Sequence, residues 1–162
     1  MREKLSTHVY LAEAYPKASI NIGAGSLALY LGSEPNFQPY TVWFTEVLEG
    51  LDGPELAIDP ENRWWIYHLE VIHRLVELSQ GDYIVSIPDI VENLDILSAL
   101  RGPQNFCIDL LDHAEEVKLR NNEVQRAFYQ AYQAFYEIVK EPLDGCSFTA
   151  FRIWGPGKTA KA

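Results

Sequence analysis

Cysteine is scarce in this chain: Cys107 and Cys146 are the only two, far apart and outside any C-x-x-C pair. That argues against a disulfide-stapled secreted fold and against a thiolate zinc cluster. The four histidines, His8, His68, His73 and His113, form no H-E-x-x-H motif, and each is expected at the surface or on a helix edge. Positive charge is also short. Thirteen Lys and Arg stand against 23 Asp and Glu, a formal charge of −10. Nucleic-acid binding runs on cations that displace phosphate counterions, so no nucleic-acid partner is expected. No basic amphipathic stretch suits a membrane surface, and no apolar run reaches the length of a membrane span. The polar stretch from Met1 to Tyr10 lacks the apolar segment of a signal peptide. The expectation is a cytoplasmic protein without a membrane partner.

What the chain does have is an ordinary globular composition, 48% hydrophobic and rich in aromatics. Residues Ala18 to Ile22 read as a strand running into Gly23-Ala24-Gly25-Ser26, with a short helix from Ser26 to Leu31. Tyr40 to Phe44 has strand propensity. Asp59 with Pro60 predicts a helix start, and Trp65, Leu69, Ile72 and Val76 recur at helical spacing as its buried face. Tyr83 to Ile87 reads as a strand closed by Pro88. Asp89 and Glu92 have capping-box spacing for a helix to about Leu100. A further helix spans Gln104 to Leu111, a long one His113 to Glu141, and a strand Cys146 to Trp154. Strands alternating with helices imply a parallel sheet with crossover helices, either open or closed as a barrel.

Two glycine motifs invite a nucleotide reading and fail on spacing. Gly23-Ala24-Gly25-Ser26-Leu27-Ala28 matches the loose dinucleotide fingerprint, with Glu46 as a ribose acid. Yet Gly32 and Pro35 leave under two turns of helix to face a pyrophosphate. A tight glycine turn is the better reading. Gly157-Lys158-Thr159 ends like a P-loop, but Arg152 stands where that motif needs glycine, and Pro156 removes an amide donor. Cys107, among Phe106, Ile108 and Leu110, reads as a small buried hydrophobe, and so does Cys146.

The candidate site residues sit at or near predicted strand ends, where parallel α/β folds place their chemistry. Asn21 is the next-to-last residue of the first strand. Asp89 follows the second, as a helix cap that could also touch a ligand, with Asn93 one helical turn on. Trp154 and Lys158 follow the last strand as a rim for a planar or anionic ligand.

The stretches Gly81-Asp82-Tyr83-Ile84-Val85-Ser86-Ile87-Pro88-Asp89, Asn93-Leu94-Asp95-Ile96-Leu97, Leu100-Arg101-Gly102 and Cys107-Ile108-Asp109-Leu110-Leu111-Asp112 resemble the uroporphyrinogen decarboxylase superfamily. Members carry a strand, a loop, a helix ending in an Arg-Gly turn and a second helix in this order. The ending Ile153-Trp154-Gly155-Pro156-Gly157-Lys158 is similar to bacterial members too. The resemblance implies an α/β fold, a partial (β/α)8 TIM barrel of roughly the first four βα units, with residues 1–162 as the N-terminal part of the domain. It implies an enzyme whose substrate is a tetrapyrrole or corrinoid, this chain alone being inactive. Decarboxylating members hold their acidic substrate with an arginine segment after the first strand. Here Gly23-Ala24-Gly25-Ser26 stands in that place and the next arginine is Arg63. The expectation therefore leans to methyl transfer involving a corrinoid protein, with porphyrinogen decarboxylation and a non-catalytic half-barrel binding module as alternatives. Asp89 would polarise the substrate as the catalytic group. Asn21, Asn93, Trp154 and Lys158 would bind it. No metal ligand is assigned in this chain; zinc, where used, would come from residues past Ala162. A homodimer is among the expected partners.

Overall fold

The computed structural model describes all residues except 1, 13, 92, 142, 143, 151, 152 and 160–162. In chain order the elements are α1 (Arg2–Thr7), β1 (Lys17–Ala18), α2 (Ser26–Tyr30), β2 (Pro35–Phe37), β3 (Val42–Phe44), α3 (Arg63–Ser79), β4 (Ile84–Val85), α4 (Leu94–Arg101), α5 (Pro103–Asp112), α6 (Ala114–Val139), β5 (Cys146–Phe148) and β6 (Ile153–Gly155). They fall into two compact units. One comprises residues 1–20, 68–88 and 134–162; the other comprises 21–67 and 89–133. Among the described residues no helix is long and apolar enough to cross a membrane.

In the first unit, β1 and β4 pair in parallel, Lys17 opposite Ile84 and Ala18 opposite Val85. Backbone bonds extend the contact from Ile84 N–H to Pro16 O at 3.0 Å and from Ser86 N–H to Ala18 O at 2.9 Å. Ile87 forms a parallel bridge with Phe148. Val85 and Ile87 are buried, in a strand segment covered on both faces, and Ile72, Phe135 and Phe148 are also sealed from solvent. Ser86 and Ser147 are buried as well. Their hydroxyls bond each other at 3.0 Å, and Tyr15 Oη reaches Ser147 at 2.9 Å, so these polar groups are satisfied.

The second unit is mainly helical. Helix α2 is buried along its whole length, and Tyr30 meets Trp65 edge to face at 5.2 Å. Ile96, Leu97 and Leu100 of α4 face inward at helical spacing, as do Val117, Val124 and Ala131 of α6. Arg101 ends α4 and is held at both ends of its guanidinium, by Asp109 at 2.7 Å and by Leu48 O at 3.3 Å. The amides of Val47 and Leu48 both donate to Leu100 O. The Arg-Gly turn is thus a structural joint.

Several expectations are corrected here. The partial TIM barrel is not formed. Among the described residues the strands are two or three residues long and pair into three separate two-stranded sheets, two of them antiparallel. The strand expected from Cys146 to Trp154 is instead two short strands, β6 antiparallel to β5, and only the Ile87–Phe148 bridge runs parallel. The Tyr40–Phe44 stretch is one arm of a hairpin, whose turn is closed by Gln38 N–H to Thr41 O at 2.9 Å with Pro39 between. Helix α3 starts at Arg63, later than Asp59 suggests. Asn62 Oδ1 accepts the amides of Trp64 at 2.9 Å and Trp65 at 3.1 Å, while the Asp59 side chain receives Glu61 N–H, before the helix begins. His68 is fully buried, 6.3 Å from the Phe135 ring, and is not an edge residue. Cys107 is exposed, not buried; Cys146 is buried. Glu92 and Arg152 lie outside the described residues.

Candidate functional site

The second unit brings two loops side by side. Gly25 bridges Ile90 in antiparallel fashion, and Val91 N–H donates to Ala24 O at 2.9 Å. The first loop is self-braced: Asn21 Oδ1 accepts Gly23 N–H at 2.7 Å, and Ser26 Oγ donates to Gly23 O at 2.7 Å. This is an Asx turn followed by a hydroxyl lock on a glycine at φ +102°. The hairpin β2–β3 covers the glycines. A Cβ on Gly25 would come within 2.5 Å of the Phe44 ring, and one on Gly23 within 3.2 Å of Val42 Cβ. The two glycines therefore make room for the chain's own hairpin side chains, which accounts for the G-x-G pattern without a dinucleotide.

The second loop holds Asp89 and Asn93. Asp89 is half-buried. Asn93 stands at φ 62° and ψ −133°, a region that favours glycine and costs other residues about 1–3 kcal/mol. Its carbonyl starts α4 by accepting Ile96 N–H at 3.1 Å and Leu97 N–H at 3.3 Å. Among the described residues its side chain makes no capping bond, and Oδ1 is buried without a hydrogen-bond partner. A buried carbonyl oxygen left open costs roughly 1–3 kcal/mol. Strain and an unmet acceptor on one residue make Asn93 a candidate ligand contact.

The predicted site residues are thus divided. Asn21, Asp89 and Asn93 share the second unit, on two neighbouring loops; Trp154 and Lys158 belong to the first. Asp89 and Asn93 are not one helical turn apart, because α4 begins only at Leu94. Trp154 Nε1–H donates to Glu141 at 2.9 Å, and its ring lies over Gly145, where a Cβ would meet it at 2.5 Å. Lys158 Nζ sits 5.5 Å from the centre of the Tyr136 ring. The Gly157 carbonyl and the Thr159 amide are both taken by Cys146 Sγ, at 3.3 and 3.2 Å. A concavity of about 430 Å³ in the first unit is lined by Pro16, Val76, Asp82, Tyr83, Val139 and Lys140, among others, and by none of the five candidates.

Electrostatics of the second unit were not legible from composition. Every lysine and arginine in it is bound to a carboxylate: Arg63 to Glu34, Arg101 to Asp109 (2.7 Å), Lys118 to Glu115 (2.6 Å), Arg120 to Glu123 (2.8 Å) and Arg126 to Glu55 (2.5 Å). The loop pair is therefore rich in hydrogen-bond acceptors and has no cation at liberty. Such a site suits N–H or O–H donors on a neutral ligand, and it suits a polycarboxylate poorly. Among the described residues no three His, Cys, Asp or Glu side chains converge to hold a metal ion. Comparison with protein-family models, with curated proteins and with solved structures yields no match to this chain.

Proposed function

We propose that the chain contributes a substrate-binding region to an enzyme resembling the uroporphyrinogen decarboxylase superfamily, acting on a corrinoid-linked substrate in methyl transfer. The barrel is no part of this proposal. The observation that carries it is the strained Asn93 with its open Oδ1, beside Asp89 on the loop bridged to Asn21–Gly25. Support also comes from local order: β4, a loop, α4 ending at Arg101-Gly102, then α5 follow one another as the resemblance implies. Corrin rings carry peripheral carboxamides whose N–H groups are donors, and acceptors such as Asn21, Asp89 and Asn93 match them. Asp89 would orient the ligand and polarise an N–H. The resemblance implies a zinc-activated thiolate as nucleophile; among the described residues no ligand set for a zinc ion converges. The reading places the protein in the cytoplasm, where Cys107 and Cys146 remain thiols.

Decarboxylation of a porphyrinogen is the second reading, and the paired state of the cations weighs against it. Equilibrium dialysis of the purified chain against hydroxocobalamin and uroporphyrin separates the two. We expect cobalamin to be retained and uroporphyrin, with its eight carboxylates, to be excluded. Asp89→Ala and Asn93→Ala should each weaken retention about tenfold, the equivalent of 1.4 kcal/mol. Asn93→Gly should raise stability by about 1 kcal/mol through relief of the backbone, yet still weaken binding. Uroporphyrin bound through Asp89 would favour decarboxylation. Failure of both ligands to bind, or binding indifferent to Asp89 and Asn93, would sink the proposal.

A further inference from the structure

Among the described residues of the second unit, Asn93 is the one residue other than glycine with a positive φ. Such a backbone persists only where the surrounding structure over-determines it. The chain is held on both sides of Asn93. Upstream, Val91 N–H donates to Ala24 O at 2.9 Å, and Ile90 bridges Gly25. Downstream, α4 begins at Leu94, and its far end is gripped. The amides of Val47 and Leu48 both donate to Leu100 O, at 2.8 and 2.9 Å, and Arg101 Nη1 donates to Leu48 O at 3.3 Å. The last carbonyls of a helix have no partner within it, so these donors fix the end of α4 without competition.

One segment makes both holds. Phe44 lays its ring on Gly25, where a Cβ would stand 2.5 Å from it. Three and four residues on, Val47 and Leu48 grip α4. Between them the Glu46 carboxylate lies against Gly102, where a Cβ would also meet it at 2.5 Å. Thr45 ties this strap to the base of the hairpin: its N–H donates to Glu34 O at 2.9 Å, and its carbonyl accepts Ser33 Oγ at 2.7 Å. The contacts close a ring that runs from the strap to the glycine loop, to Ile90 and Val91, through Asn93, along α4 and back to the strap. A helix and a loop braced by Asn21 and Ser26 yield little, so misfit in the ring falls on Asn93. We infer that the strap from Phe44 to Leu48 imposes the strained backbone of Asn93. Asn93 is then a hinge through which the β2–β3 hairpin sets the position of the open Oδ1: a seated strap keeps it strained, and a loosened one lets it relax.

Double-mutant cycles on the whole chain, read as thermal melts, test this. Asn93→Gly should raise the melting temperature of the otherwise unchanged chain by about 2–4 °C. In Phe44→Ala, the same substitution should add no more than about half of that shift, because the strain it relieves is already released. Phe44→Leu is the milder cut of the strap and decides where Phe44→Ala does not fold. Val124→Ala truncates a fully buried side chain of α6 outside the ring, and there the full shift should remain. An undiminished shift in the Phe44 variants would overturn the inference. So would a shift lost equally in Val124→Ala, which would mean general loosening. No shift in the unchanged background would show that Asn93 has no strain to release, and overturns it as well. The melts use no ligand, so their outcome is separate from whether cobalamin or uroporphyrin is retained.

Discussion

Arg120 offers the sharpest test of how the second unit is held. Its side chain is 6% exposed and makes three charge-assisted bonds: Nε to Leu51 O at 2.6 Å, Nη1 to Pro54 O at 2.7 Å and Nη1 to Glu123 Oε2 at 2.8 Å. The same Glu123 oxygen accepts Leu56 N–H at 3.1 Å. One guanidinium thus staples the loop from Leu51 to Leu56 onto α6. Arg120→Ala strands a carboxylate that is only 18% exposed and leaves two carbonyls without their donor. Removing one partner of a buried pair costs about 3–5 kcal/mol, and the partial exposure of Glu123 points to the lower end, about 3 kcal/mol. For a chain of this size each kcal/mol shifts the melting temperature by roughly 2–4 °C, so a fall of about 6–12 °C is expected. Urea unfolding followed by circular dichroism reads it, with the midpoint lowered and the slope unchanged. Arg120→Met with Glu123→Leu should recover much of the loss, because the orphaned charge is gone. A single-variant loss below about 1 kcal/mol, or a double variant as unstable as the single, would refute the staple.

Two further outcomes follow from the same geometry. Gly25 has an ordinary backbone, φ −82°, so Gly25→Ala adds only the clash with the Phe44 ring 2.5 Å away; it should cost about 1–3 kcal/mol, and Phe44→Ala should cancel most of that increment in a double-mutant cycle. Glu34 is held below the usual carboxylate range by the Trp64 indole N–H and then by Arg63. A depressed folded pKa contributes stability above the unfolded pKa and loses it as pH falls through the folded value. The gap between wild type and Glu34→Gln should therefore be present near pH 6 and close as the pH falls below about 4, while staying under about 1 kcal/mol because the pair is exposed. A gap that persists at pH 2 would remove the ion pair as its cause.

The helices were legible because a 3.6-residue period survives local detail; the errors lie where a polar contact outbids it. Asp59 and Asn62 are both good caps three residues apart, and only the one adjacent to the periodic run reaches two amides. In α5 the apolar Cys107 and Ile108 face water while Asp109 is buried, because Arg101 draws that carboxylate inward and fixes the roll of the helix. His68 lies at the three–four spacing between Trp65 and Ile72, so its burial was written in the pattern and overridden by its polarity. Strands of two or three residues carry too little alternation to be read, and a reversal between β5 and β6 leaves no mark in an apolar run.

The candidate site shows the opposite relation between sequence and structure. Strand-end position pointed to Asn21, Asp89 and Asn93, yet the feature that distinguishes Asn93, a strained backbone with a buried open acceptor, exists only after folding. Glycine at position 93 would satisfy the backbone without cost, and a side chain that capped α4 would accept an amide of its first turn. Asparagine there does neither: it keeps the strain and leaves Oδ1 unspent. Meanwhile the facing loop is locked by Asn21, Ser26 and the overlying Phe44, so the neighbour of Asn93 is held stiff while Asn93 itself stays unsatisfied. Under the proposed function, a rigid wall beside an unmet acceptor would serve as a preorganised contact, one in which a ligand N–H recovers a desolvation cost the fold has already met.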